Sequence, residues 1–151
     1  QGVLRVPMVI SAPRFGSGRH QELASSADLA PTLLDLVDAP SMPQAQGRSL
    51  LPVMQGRAQD WRSAVLVEED QPFGVEDLPG PVRIRTVITA TSRLTEVLDQ
   101  QMTECYDLAS DPMEMVNIAG QGSGVQVQAL ASLAQELMRV DDDSRLPFDA
   151  A

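Results

Sequence analysis

Leu29, Leu33, Leu36 and Val37 recur at helical spacing and predict a helix with one apolar face. Asp28 is placed to cap it, because a carboxylate can accept from the free N–H groups of a first turn. Pro31 falls within that turn, where a missing N–H is tolerated, and Pro40 to Pro43 stops the helix. Ser49 is expected to cap a second, short helix with Pro52 in its first turn and Gly56 after its end. Ahead of these, Val3 to Ala12 is a nearly continuous apolar run, which predicts a strand buried on both faces. Pro13 to Gly18 reads as a turn.

From Ala64 the period changes. Ala64 to Glu68 predicts a short strand, and Gln71 to Pro81 a Pro/Gly-rich loop. Val82, Ile84, Thr86 and Ile88 alternate with Arg83, Arg85, Val87 and Thr89, the pattern of a half-buried strand. Ala90 to Ser92 turns the chain, and Arg93 to Leu98 and Thr103 to Leu108 predict two more antiparallel strands. Asp111-Pro-Met-Glu114 has a helix start's aspartate cap, first-turn proline and glutamate reaching back. Gly120 to Gly124 is a flexible break. Val127, Leu130, Leu133, Leu137 and Met138 then mark one face of a closing helix, which Asp141 to Asp143 should end because carboxylates oppose the helix dipole there. The polar connector Arg57 to Arg62 divides the helical part from the β part, with Trp61 as a packing anchor.

Composition narrows the function classes. The chain has 151 residues, 43% of them hydrophobic, enough for a core, but only 3% aromatic, which leaves packing to Leu, Val, Met and Ala. A net charge of −10 argues against nucleic acid and anionic membranes, which attract positive fields. All 11 basic residues are arginine. A single cysteine, Cys105, excludes an internal disulfide, and no apolar run approaches the roughly 20 residues of a membrane span.

Four stretches in fixed order carry a resemblance. They are Gly2-Val-Leu-Arg-Val-Pro-Met-Val-Ile10, Asp28-Leu-Ala-Pro-Thr-Leu-Leu-Asp-Leu36, Gly47-Arg-Ser-Leu-Leu-Pro-Val-Met-Gln-Gly56 and Glu104-Cys-Tyr-Asp-Leu-Ala-Ser-Asp-Pro-Met-Glu-Met-Val-Asn-Ile-Ala119. Together they resemble the late part of a type I sulfatase of the alkaline-phosphatase-like superfamily. The resemblance implies α/β plus α+β architecture. Residues 1–60 would complete an α/β catalytic domain, and 61–151 would form a C-terminal subdomain of about four antiparallel strands packed on a closing helix. The chain opens at Gln1 inside a strand-forming run, so it is expected to be a truncated product. The whole enzyme would cleave small-molecule or glycan sulfate esters with a formylglycine nucleophile and calcium. A phosphonate or phosphate ester hydrolase of the same superfamily is the nearest rival, and a non-catalytic domain binding through its acidic surface is another.

Sulfate ester cleavage needs a nucleophile, a cation and an acid for the leaving alcohol. The family makes its formylglycine from Cys/Ser-x-Pro-x-Arg, whereas Cys105 precedes Tyr-Asp-Leu and reads as a small buried hydrophobe. The resemblance implies an Asp-Asn pair for calcium, yet the only asparagine, Asn117, follows Val116. The lysines that grip sulfate in the family have no counterpart here. No catalytic or metal-binding residue is therefore expected in this chain, and no calcium bound by it. His20 reads as a solvated loop residue, Arg5 as a structural ion-pair partner before a sulfate contact, and Glu68-Glu-Asp70 as a solvated strand end before a cation site. Arg83 and Arg85 read as exposed decoration, with an anionic substrate as the alternative.

Overall fold

The computed structural model describes residues 4–71, 80–122 and 124–144. The chain divides into two compact units, one of Gln1–Arg62 with Asp141–Ala151 and one of Ser63–Val140, which holds all but the last residues of the closing helix.

In the first unit a 3₁₀ turn, Ser26–Asp28, leads directly into α1, Leu29–Leu36, and α2 follows at Leu51–Met54. The cap lies one turn earlier than the sequence predicts. Ser25 caps the 3₁₀ turn through its hydroxyl, and the Asp28 carboxylate reaches back to the Ser25 N–H in a capping box. No side chain caps α1 itself. Ser49 is not the cap of α2, whose N-cap is Leu50 with no side-chain cap, although the Ser49 hydroxyl accepts from Leu51 N at 3.2 Å; Gly56 follows α2 with φ +67°, a conformation that favours glycine. Gly47 is required for space, since a Cβ there would stand 2.0 Å from the Ala27 carbonyl oxygen.

Two expectations for this unit change. No strand forms among the described residues of the 3–12 run, and Val9 is 90% exposed. A strand exists only with a neighbour to complete its ladder, and none of the described residues supplies one. The apolar face of α1 is likewise open, with Leu33 60% and Val37 70% exposed. Thr32 is the buried residue of α1 instead. Its hydroxyl donates to the Asp28 carbonyl at 2.6 Å and accepts from Leu50 N at 2.8 Å, which ties α1 to the start of α2.

The second unit is a four-stranded antiparallel meander, β1 Ala64–Gln71, β2 Val82–Thr89, β3 Ser92–Val97 and β4 Met102–Asp107, followed by α3, Gly124–Ser144. β1 runs three residues beyond its expected end; the Pro/Gly-rich loop that follows lies at 72–79, outside the described residues. Leu66, Val87, Leu94 and Cys105 stand opposite one another across all four strands. With Ala64 this row packs against Leu130 and Ala134 of α3, and Val127, Ala131, Leu133 and Leu137 flank them. The expected apolar stripe of α3 is therefore right in direction, but its deepest members are Leu130 and Ala134, while Leu133 and Leu137 are half-buried.

β2 departs from a simple half-buried strand. Val82 and Thr86 are buried on one face and Val87 on the other. Residues 112–118 form no helix. Glu114 takes φ +56°, the Asp111 carboxylate accepts from Val116 N, and Ile118 N donates to the Cys105 carbonyl, so the segment lies along β4. α3 also continues through Asp141–Asp143 to Ser144. Charges opposed to the dipole cost only about 0.3–1 kcal/mol each at a helix end, too little by themselves to set where a helix stops.

Candidate functional site

Three of the charged clusters among the described residues are held by buried or largely buried side chains. The first is Asp28, fully buried in the first unit. Its carboxylate accepts from Ser25 N at 2.8 Å, from Arg48 N at 2.8 Å and from Arg62 Nη2 at 2.6 Å. The Arg62 guanidinium also stands 5.2 Å from the Trp61 ring centre, and Trp61 Nε1 donates to the Leu23 carbonyl at 2.7 Å. The anchor role expected of Trp61 is thus carried by one hydrogen bond and one cation–π contact. This carboxylate is saturated by N–H donors, which leaves it structural.

The second place is Arg85, largely buried on the α3 side of the sheet. Its Nε lies 2.7 Å from Glu68 Oε1 and its Nη1 2.6 Å from Asp70 Oδ1. The hydrogen bond to Asp70, reinforced by both acidic neighbours, raises the Arg85 pKa against the opposing effect of burial. The register sets Glu68 directly across from Arg85 and Asp70 from Arg83. Arg85 is therefore not exposed decoration, and two of the three acidic residues at the strand end hold it. Arg83 is exposed.

The third place lies on the opposite sheet face. Arg93 Nη2 is 3.3 Å from Glu104 and 3.2 Å from Glu114, and its guanidinium sits 4.8 Å from the Tyr106 ring centre. Burial, with Glu104 nearby, raises the Tyr106 pKa, so its phenol stays protonated. Here again the cation is enclosed by carboxylates and does not face an anion.

His20 and Arg5 belong to the first unit and Cys105 to the second. His20 and Arg5 are exposed, and the His20 ring stands beside the nearby Glu22, Nδ1 to Oε2 at 3.9 Å. Cys105 is fully buried in the core row, as expected of a small hydrophobe, and burial pushes its thiol pKa up. Among the described residues no group of three His, Cys, Asp or Glu side chains is placed to hold a metal. The first unit does carry an apolar groove of about 680 Å³, lined by Ala12, Pro13, Phe15, Leu33, Val37 and Met42 among others. Its chemistry suits packing, not the binding of a sulfate.

Two residues carry structural roles outside the sequence expectations, Asp28 as an ion-pair hub and Asn117 as a structural tie. Asn117 Oδ1 accepts from Cys105 N at 2.9 Å and Ala119 N at 3.0 Å, while its Nδ2 donates to the Thr103 carbonyl at 3.2 Å. The Asp-Pro-x-Glu-x-x-Asn pattern was the available signal for the second; nothing local marks the first.

Residues 1–143 match the family described as N-sulphoglucosamine sulphohydrolase, C-terminal. The chain belongs to this family. Consistent with a sulphohydrolase C-terminal family, the chain is 28% identical to a choline-sulfatase of Rhizobium meliloti, over 100% of this chain and 28% of that protein. A protein solved in complex with its substrate D-glucosamine-2-N,6-O-disulfate is similar at a TM-score of 0.66 and 27% identity, over 82% of this chain and 25% of the other. The phosphonate monoester hydrolase of Agrobacterium radiobacter shares the fold at a TM-score of 0.65 and 21% identity, over 80% of this chain and 26% of its own. The sulphohydrolase C-terminal match thus covers nearly the whole chain, while the chain spans about a quarter of the length of each of these proteins. The four-stranded sheet and helices agree with the subdomain architecture expected from the motifs.

Proposed function

We propose that this chain is the C-terminal portion of a sulfuric ester hydrolase whose reacting groups come from other residues of the same protein. The observation that carries the reading is the family match across residues 1–143. A small sulfated metabolite or a sulfated amino sugar is the substrate class, in keeping with the choline-sulfatase and with the disulfated glucosamine bound by the structural relative. A formylglycine nucleophile and calcium belong to this reading as contributions from outside the chain. The residues present here do not fit them: Cys105 lies outside Cys/Ser-x-Pro-x-Arg, lysine is absent, and the buried Asp28 carboxylate is filled by Arg62 and two backbone N–H groups. A phosphonate or phosphate ester hydrolase is the second reading, favoured by the shared fold alone.

The purified chain should therefore release no phenol from an aryl sulfate or aryl phosphonate above the uncatalysed rate. Calcium and a formylglycine-generating enzyme should change nothing. Turnover lost in Cys105→Ala would overturn the assignment of that thiol to the core. The sequence of the complete protein tests the sulfatase reading itself. Cys/Ser-x-Pro-x-Arg is expected there, and its absence from the complete protein would overturn that reading.

A further inference from the structure

The two outer strands of the sheet differ in how they discourage association. β1 carries three consecutive carboxylates, Glu68, Glu69 and Asp70, which Arg85 offsets only in part, so an identical strand laid beside them would meet like charge. β4, Met102–Asp107, carries the strand-favouring residues Thr103 and Tyr106, and its two carboxylates, Glu104 and Asp107, are not adjacent, so it has no such run of charge. Its outward backbone groups are met instead by the segment that follows. The Asn117 carboxamide, with one acceptor and one donor, takes Cys105 N and the Thr103 carbonyl as the peptide group of a neighbouring strand would. Ile118 N takes the Cys105 carbonyl at 2.8 Å and Asp111 N the Asp107 carbonyl at 2.8 Å. Glu114, 3.2 Å from Arg93, holds the same segment to the sheet face.

We propose that residues 111–119 form a strap, locked by Asn117, that occupies the edge of β4 and keeps it from pairing with β4 of a second copy of this chain. The occupant follows from the strand itself. Two copies of Met102–Asp107 can pair antiparallel through the Thr103, Cys105 and Asp107 backbone groups that the strap now engages. The strap is short, without regular structure and held largely by side chains, the kind of element that opens separately from the sheet beneath it.

Hydrogen exchange on the intact chain tests the opening. The Cys105 and Ala119 amides share Asn117 Oδ1, so they should exchange at a common rate, faster than the β2 and β3 amides. Exchange as slow as that of β3 would overturn a separately opening strap. In Asn117→Ala, three lost hydrogen bonds should speed both amides and labelling of the single thiol by roughly 10- to 1,000-fold. Asn117→Asp keeps the two accepted bonds and loses the donated one, so it should fall between. The same series, weighed by light scattering at rising concentration, should go from monomer to concentration-dependent dimer as the strap weakens. Faster labelling with mass unchanged at every concentration would overturn the role against pairing, and unchanged labelling would overturn the lock. If Asn117→Ala fails to fold, wild-type exchange and Asn117→Asp still decide.

Discussion

Removing the Asp28 carboxylate should dismantle the first unit. The carboxylate is fully buried and accepts three N–H donors within 2.8 Å, one of them the Arg62 guanidinium. Hydrogen bonds to a charged group contribute about 1.5–3 kcal/mol each, and removing one partner of a buried ion pair costs about 3–5 kcal/mol. At roughly 0.05–0.15 kcal/mol per residue, the Gln1–Arg62 part of this unit is stable by about 3–9 kcal/mol. Asp28→Ala is thus expected to consume most of that margin. Asp28→Asn, which keeps the shape and one acceptor, should cost less. Trp61 reports the result directly, because it is the sole tryptophan and is tied to Leu23 within the same unit. In urea titrations of the full chain followed by its fluorescence, the Asp28→Ala midpoint should fall sharply or vanish. Arg62→Ala should do nearly as much, and the double variant less than the sum, with a coupling of about 0.5–3 kcal/mol. A Trp61 transition in Asp28→Ala that coincides with wild type would refute the hub. Strict additivity would refute the pairing with Arg62.

Two further outcomes concern the second unit. Leu94→Ala and Leu130→Ala should each cost about 2–5 kcal/mol by circular dichroism in urea, Leu133→Ala less because it is half-buried, and exposed Glu136→Ala under about 0.5 kcal/mol; equal losses at all four would mean that the helix face is misplaced. Burial raises the Cys105 pKa above its ordinary 9.0, so the folded state favours the neutral thiol and its contribution is complete below that value. Stability should then fall as pH rises from about 8 to about 10, with a smaller fall in Cys105→Ala; a wild-type midpoint that holds or rises would contradict the sign.

Local order was legible in the chain because local physics sets it. Four strands, the short proline-bearing helices and the closing helix follow from period, caps and turn residues whose partners lie within a few positions. The ordered motifs likewise carried the family, since they are sequence patterns to begin with. Tertiary structure alone decided which faces are covered. Alternation in β2 marks a strand, but Val82 and Val87 point opposite ways and both are buried, which no single-strand pattern can announce. The apolar spacing of α1 marks a helix, yet Thr32 is what it buries, because an apolar face is covered only where a partner stands against it. Asp28 does cap the turn beside it, through Ser25 N. Its carboxylate also serves the Arg48 N–H and the Arg62 guanidinium, 20 and 34 positions away, since a buried charge must be met by whatever donors the fold brings to it. In sequence, Asn117 shows only the lack of a preceding aspartate. Its role emerges only when the chain returns past β4 and its carboxamide meets a strand edge 12 residues back.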